Sequence, residues 1–333
     1  MTPEVPVGPS SLIWLVTGRC NLACEHCYAS RFQVGEELSS EEASELIAEA
    51  ARVGVQHLGL AGGEPLLRPD LFEIISGARS MGLGVGLVTN GGRVTPAAAR
   101  ALARNGVGVV VSLDGATAQT HDQRRGAGSH RQALSALAHL RQAGVAYRTV
   151  MALGPDNYHE VREYITLAHK LGAEAACLIP VMPSGRAGRR STPTAAQVAG
   201  ALQAAGGRSQ GLGLPLQLWC LPFAPLVMSS DGVSAHPCRG SRSMDIDPAG
   251  RILLCDVLDV EVSALRGGGL LRAWREQCRS PVVRRLAGPK LAPVCAGCPL
   301  AQQCRGGCYA RAQLLSGDLY APDPLCPRVA GVL

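Results

Sequence analysis

Aromatic side chains are scarce in this chain of 333 residues, only 4% of the total, and charged ones reach only 17%. So few rings leave no stacking platform for nucleic-acid bases. With 47% hydrophobic residues, the low charge argues against extensive disorder. Lys and Arg are dispersed, the formal charge of +6 is mild, and no run resembles a nucleic-acid footprint, so nucleic acid is not expected as a partner. A small basic excess suits an anionic small molecule and an acidic peptide equally well. No apolar stretch approaches the roughly 18 residues that span a bilayer, so no membrane partner is expected either. Met1–Ser10 carries three prolines and no charged region ahead of an apolar core, which excludes a secretory signal there. A cytoplasmic protein is the expectation.

Cysteine, by contrast, is abundant, with 13 residues. In a reducing compartment such cysteines bind metal or do chemistry more often than they form disulfides. Cys20, Cys24 and Cys27 sit near the start, eight lie beyond residue 237, and Cys177 and Cys220 fall between.

From residue 11 to 181 a strand-then-helix rhythm repeats. Apolar runs at Leu12–Val16, Val55–Leu60, Val85–Thr89, Val107–Leu113, Tyr147–Leu153 and Ala175–Val181 read as buried parallel strands. Amphipathic helices lie between them, opened by signals such as Ser39-Ser40-Glu41-Glu42 and Thr95-Pro96. Six such units indicate an α/β barrel or a doubly wound sheet. After Val181 the pattern dissolves into a loop, Pro183–Arg190, and a short helix from Thr194. Gly206–Gly213 reads as a linker. Short strands, Ser243–Ile246 and Arg251–Leu254, precede a cysteine-dense tail too interrupted to form its own core, so that metal is expected to hold it together. The expected organisation is a barrel unit over 11–190, a bridge over 191–235 and a cysteine-rich unit over 236–333.

Cys20-Asn21-Leu22-Ala23-Cys24-Glu25-His26-Cys27 has CxxxCxxC spacing just after the first strand, at the end where parallel α/β folds carry their active sites. Three thiolates in one loop can hold a cubane cluster and leave its fourth iron open. A zinc site, with His26 as fourth ligand, is the competing reading. The spacing resembles that of the radical S-adenosylmethionine (SAM) superfamily, and later segments extend the likeness. Gly62-Gly63-Glu64-Pro65 stands where the family places a segment that contacts the amino group of SAM. Thr89 and Asn90 after the third strand, Ser112 after the fourth, and Asn157 after the fifth stand where hydroxyls and amides could hold a ribose. In the family, residues matching Ser112 and Arg125 approach the SAM ribose and carboxylate. Arg124 and Arg125 both qualify, and register favours Arg125.

At the far end, Cys238, Gly250, Cys255, Cys295, Cys298, Cys304, Cys308 and Cys326 reproduce the seven-cysteine pattern of the SPASM extension of that superfamily. The resemblance covers residues 12 to 328. It implies a partial (β/α)6 TIM-type barrel with a small C-terminal iron–sulfur domain, and three [4Fe–4S] clusters, one for SAM and two auxiliary. Cys238, Cys255 and Cys308 would hold the nearer auxiliary cluster, with Cys220 as candidate fourth ligand against an open iron. Cys295, Cys298, Cys304 and Cys326 would hold the farther one. A zinc ribbon over Cys295–Cys308 is the alternative. Cys177 and Cys278 read as packed thiols. Asp256 follows Cys255 where sulfatase-maturing relatives carry a catalytic aspartate, so it is a candidate base.

The reaction implied is reductive cleavage of SAM to a 5′-deoxyadenosyl radical that takes a hydrogen atom from substrate. The leading substrate is a ribosomally made peptide. A tetrapyrrole is the alternative, its acid groups pairing with Arg186, Arg189 and Arg190, and protein side-chain oxidation of the sulfatase type is another. Arg68-Pro69-Asp70 and Ser112–Thr117 resemble the mycofactocin-type maturases, though such strings are widespread. Because the first strand opens near residue 11, a separate leader-peptide-binding protein or a non-peptide substrate is expected. A low-potential donor of flavodoxin or ferredoxin type would supply electrons. A non-catalytic iron–sulfur electron-transfer protein is the reading from a different class.

Overall fold

The computed structural model describes residues 8–32, 37–228, 231–235 and 237–333. Most of the N-terminal stretch read above, Met1–Val7, lies outside the described residues. The six apolar runs form β1 (Ser11–Leu15), β2 (His57–Ala61), β3 (Gly84–Thr89), β4 (Gly108–Ser112), β5 (Tyr147–Leu153) and β6 (Ala176–Pro180). All are parallel and hydrogen-bonded in chain order. A doubly wound sheet needs a point where strand order reverses; this one has none, so the winding is that of a barrel.

The crossovers are α1 (Ser40–Arg52), α2 (Leu71–Ser80), α3 (Pro96–Arg104), α4 (Ala118–Arg125), α5 (Ser129–Gln142) and α6 (Val161–Leu171). Ser39 and Glu42 form a reciprocal capping box on α1, and Thr95 caps α3 ahead of Pro96. All of these helices but α4, whose buried residues are His121 and Arg124, lay an apolar face on the sheet: Ala43, Leu46, Ile47 and Ala50 of α1 share one core with Leu12 and Trp14 of β1. The opposite face of the sheet is lined more sparsely. Gly59, Gly86 and Gly108 stand in register across β2, β3 and β4.

Two expectations give way beyond β6. The segment 191–235, expected as a bridge, carries α7 (Ala195–Leu212) and two more parallel strands, β7 (Leu216–Leu218) and β8 (Val233–Ala235). Gly206–Gly213, expected as a linker, is mostly the second half of α7, with Gly213 as its left-handed cap. Packing overrides propensity here. Val198, Ala201, Leu202, Ala205 and Ser209 are buried along one side of the helix, and the glycines Gly207 and Gly211 face outward.

The chain then returns to the other edge of the sheet. There β9 (Ser243–Ile246) pairs parallel with β1, followed by antiparallel β10 (Arg251–Leu253) and β11 (Glu261–Ala264). The cysteine-rich part is thus joined to the barrel through one continuous eleven-stranded sheet. Its helices are α8 (Gly269–Arg279), α9 (Pro281–Ala287), the single turns α10 (Pro293–Ala296) and α11 (Ala301–Cys304), and α12 (Tyr309–Ser316). Among the described residues, no helix is long and apolar enough to cross a membrane.

A Cβ added at Gly207 or Gly211 meets nothing within 4 Å. Gly207→Ala and Gly211→Ala are each expected to raise stability by about 0.5–1 kcal/mol, read from denaturant unfolding midpoints. No gain at either position would mean that this segment is not helical in solution.

Candidate functional site

The CxxxCxxC loop leaves the C-terminal end of β1 and is locked down by its neighbours. Gly63 N–H donates to Thr17 O and Glu64 N–H to Arg19 O, both at 2.8 Å. This approach is why both glycines are needed. A Cβ on Gly62, whose φ is +135°, would lie 2.5 Å from Thr17 O, and one on Gly63 would lie 2.1 Å from Arg19 O. The GGEP segment therefore seats the cysteine loop, a role its sequence did not announce. From the other side Arg186 donates its Nε–H to Cys24 O (2.9 Å) and its backbone N–H to Cys27 O (3.0 Å). Arg189 reaches Leu314 O. Two of the three arginines expected to pair with substrate acids thus each give one side-chain donor to a backbone carbonyl.

Cys20 is exposed, Cys27 half-buried and Cys24 buried. Burial raises the Cys20 and Cys24 thiols, with smaller upward pushes from the neighbouring cysteines, while the Arg125 guanidinium pulls Cys24 down. The three sulfurs feel one another electrostatically, yet do not come within 4.8 Å of one another as a set. One tetrahedral ion at about 2.3 Å from each sulfur would require closer thiolates, whereas a cubane accommodates wider spacing. His26 holds its Nε2 2.9 Å from Asp114 Oδ2, which ties the ring to the barrel. Its Nδ1 is buried and lacks a partner. The donor set fits a three-thiolate cluster with an open position.

Around that loop the expected cofactor residues converge, though not in the expected manner. Glu64 is fully buried; its carboxylate accepts from Thr89 Oγ1 and Asn90 N–H at 2.8 Å and from Leu66 N–H at 3.2 Å. Burial raises its pKa and these hydrogen bonds oppose the rise. Thr89 is therefore engaged with Glu64 and with Gly91 N–H, and Asn90 with Asn21 Oδ1. Asn157 is fully buried, its amide fastened to Gly154, Asp114 and Ala152 backbone groups, so it braces the ends of β4 and β5 and offers no group to a ribose. Ser112 is buried at the end of β4.

The hub of this region is Asp114, which the sequence reading quoted but did not single out. Its Oδ2 takes Arg125 Nε at 2.6 Å and His26 Nε2 at 2.9 Å, and its Oδ1 accepts Ala152 N–H at 2.7 Å. Its own N–H donates to Nδ1 of His121 (3.1 Å), which burial holds neutral by pushing its pKa down to about 4. Burial pushes the Asp114 carboxyl up, but the Arg125 guanidinium and the His26 hydrogen bond outweigh it and hold the carboxyl well below the usual range. The two candidate arginines part ways: Arg125 faces Asp114 and Cys24, while Arg124 pairs with Asp156.

The C-terminal cysteines form two groups. Cys220 lies against Cys238 and Cys308, and Cys308 is within electrostatic reach of Cys255. Cys220 holds a left-handed φ of +58°, a strained conformation for a non-glycine residue. Cys295, Cys298, Cys304 and Cys326 line a single small cavity of about 20 Å³. As in the first loop, no three of them have sulfurs all within 4.8 Å of one another, a spacing that a cubane accommodates. Between the groups sits a fully buried pair, Arg311 and Asp323, joined at 2.5–2.8 Å. Asp323 accepts Cys308 N–H (2.9 Å) and, through its carbonyl, Cys326 N–H (3.0 Å); Arg311 donates to Cys220 O (2.9 Å). Sequence reasoning missed both. The only signal was their position three residues from a cysteine. Cys177 is packed in the sheet and Cys278 against the main core.

Asp256 lies between the two ends of the chain. Its Oδ2 accepts Tyr28 O–H at 2.9 Å, one residue from Cys27, and its N–H donates to Asp245 Oδ2 at 2.9 Å. Burial and the proximity of the two carboxylates raise Asp245 to about 8. Arg31 clasps the carbonyls of Asp256, Val257 and Leu258, which fixes this turn beneath the cysteine loop.

The sequence matches the family model described as the radical SAM superfamily over residues 14–168. Mycofactocin maturase MftC of Mycobacterium ulcerans is 33% identical over 329 residues, covering 96% of this chain and 88% of the relative. An AdoMet-dependent heme synthase of Methanosarcina barkeri is 31% identical over 339 residues, covering 96% of both. In three dimensions the chain is similar to Streptococcus suis SuiB bound to precursor peptide SuiA, with TM-score 0.78, 15% identity, and coverage of 96% of this chain and 76% of that one.

Two contrasts test the hubs. Asp114→Asn strands Arg125 and His26, and is expected to cost about 3–5 kcal/mol in unfolding experiments. Asp156→Asn, which unpairs Arg124 from a partly exposed acid, is expected to cost under about 1 kcal/mol. Asp323→Asn should lower iron and sulfide per chain, because the nearer group loses the carboxylate that takes Cys308 N–H and holds Arg311, whereas exposed Asp318→Asn should leave them unchanged. Equal effects within either pair would remove the hub assignment.

Proposed function

Because the chain belongs to the radical SAM superfamily, and its cysteine-rich C-terminal part fits the SPASM type, we propose that it is a cytoplasmic enzyme that installs a radical modification in a ribosomally made peptide. The observation that carries the reading is the three-sulfur loop above β1, its His26 tied to Asp114 and its sulfurs flanked by Glu64 and Arg125. When bound, a [4Fe–4S] cluster on Cys20, Cys24 and Cys27 together with SAM supplies the 5′-deoxyadenosyl radical that takes a hydrogen atom from substrate.

The chain's own contribution is placement. Gly62 and Gly63 seat the loop, Glu64 offers a buried acid toward the cofactor's ammonium, and Ser112 and Arg125 stand toward its ribose and carboxylate. Cys220, Cys238, Cys255 and Cys308 hold the nearer auxiliary cluster, with Cys220 completing the set. Cys295, Cys298, Cys304 and Cys326 hold the farther one. Asp256 takes the proton that substrate loses, its carboxylate aimed by Tyr28. A separate leader-binding protein presents the precursor, and a low-potential flavodoxin or ferredoxin supplies electrons.

Likeness to the mycofactocin maturase over nearly the whole chain supports a peptide substrate. Likeness to the heme synthase supports a tetrapyrrole as second reading. Against the latter, the Arg186 and Arg189 side chains that would meet propionates are turned to Cys24 O and Leu314 O.

Anaerobically reconstituted protein is expected to release 5′-deoxyadenosine with dithionite and none without it, and Cys27→Ala to release none. Absence of product from fully loaded protein would leave a non-catalytic iron–sulfur protein. With substrate present, Asp256→Asn is expected to keep SAM cleavage while substrate conversion falls by about 10²-fold or more. Conversion of a tetrapyrrole but of no precursor peptide would transfer the assignment to the second reading.

A further inference from the structure

The positive charge is not dispersed once it is placed on the fold. Residues 266–290 hold Arg266, Arg272, Arg275, Arg279, Arg284, Arg285 and Lys290 against one acid, Glu276, a net of +6. That equals the formal charge of the whole chain, also +6, so the remainder is neutral. Arg266 and Arg272 are paired with Glu42 and Glu276. Arg275, Arg279, Arg284, Arg285 and Lys290 are all exposed, and among the described residues none has a carboxylate within 4 Å. Arg272, Arg275 and Arg279 recur at helical spacing on one side of α8, opposite buried Leu270, Ala273 and Trp274.

This ridge is stitched to the segments that carry the farther cysteine group. Arg285 stacks over the Tyr320 ring at 3.5 Å, six residues before Cys326. Arg305, next to Cys304, donates to Ala287 O at the end of α9. Lys290 lies five residues before Cys295. Within that group Cys295 and Cys298 are partly exposed while Cys304 and Cys326 are buried, so the cavity they share approaches the surface beside the ridge.

We propose that the α8–α9 ridge is the docking surface for an acidic one-electron carrier protein that reduces the farther auxiliary cluster. The inference rests on the assignment of Cys295, Cys298, Cys304 and Cys326 to that cluster. Unpaired surface cations steer an acidic partner and accelerate encounter without requiring a large buried interface, which suits a transient redox contact. One electron crosses per encounter: the carrier is oxidised by one electron, the cluster is reduced by one, and no bond is made or broken. Nucleic acid is a poorer occupant, because the one aromatic residue of the segment, Trp274, is buried. An acidic precursor peptide would have to reach the Cys20–Cys27 loop, and the ridge is built onto the other end of the cysteine array.

The test is anaerobic stopped-flow reduction of the reconstituted holoenzyme by a reduced acidic flavodoxin, at low and raised salt. For the native chain the second-order rate should fall about tenfold or more as salt rises. A triple variant, Arg275→Glu, Arg279→Glu and Lys290→Glu, should be at least about tenfold slower at low salt and nearly insensitive to salt. Its iron content and its dithionite-driven 5′-deoxyadenosine release should match the native chain. A variant that keeps the native rate and salt response overturns the proposal. So does one that loses precursor-peptide binding yet accepts flavodoxin electrons normally, which would make the ridge a peptide site. The underlying cluster assignment fails separately if Cys295→Ala retains the full iron content.

Discussion

The Asp114 carboxylate is where the barrel and the cysteine loop become one object. An isolated CxxxCxxC loop would sample many arrangements of its sulfurs, and an eight-residue segment with two turns cannot bury enough apolar surface to choose among them. Asp114 supplies the choice. Anchored at the end of β4 and tied to β5 through Ala152, it holds His26 from within the loop and Arg125 from α4. A lone buried carboxylate would be costly, but here two cationic or hydrogen-bonding partners and a backbone amide offset its desolvation.

The same device recurs at the other end. The side chains of the Arg311–Asp323 pair and the Asp323 carbonyl contact backbone groups of Cys220, Cys308 and Cys326, so these segments are positioned before any metal arrives. Metal-binding energy in small cysteine-rich units is largely folding energy. Prepaying part of the ordering through a buried ion pair raises the share left for affinity. It also explains how a segment with little apolar content of its own keeps two groups of four cysteines in separate, defined places.

How much of this the sequence disclosed depended on whether the determinant was local. The six strands of the barrel, the caps at Ser39 and Thr95, and the return strands 243–246 and 251–253 were legible because hydrophobic periodicity and capping are written within a few residues. Gly206–Gly213 misled because its helix depends on packing from the Val198–Ser209 side, which composition does not reveal. The cysteine groups were legible as spacing. The residues that orient them were not, since Asp114 meets His26 across 88 positions and Tyr28 meets Asp256 across 228. Thr89 and Asn157 illustrate the converse. Their places at strand ends were read correctly, but their side chains turn inward to Glu64 and to the backbone.

Taken together, the buried carboxylates mark the joints between the three cysteine sites. Asp256, beside Cys255, takes the hydroxyl of Tyr28, beside Cys27, and so joins the first site to the second. Asp323 holds Cys308 and Cys326 and so joins the second to the third. Hydrophobic contacts could hold these loops together equally well in energy, and often better. They could not fix the sulfurs relative to one another with comparable precision, because apolar packing tolerates shifts that a two-point hydrogen bond does not. Where the spacing of redox centres decides whether an electron passes, directional contacts are the ones to expect at each joint, and apolar core elsewhere.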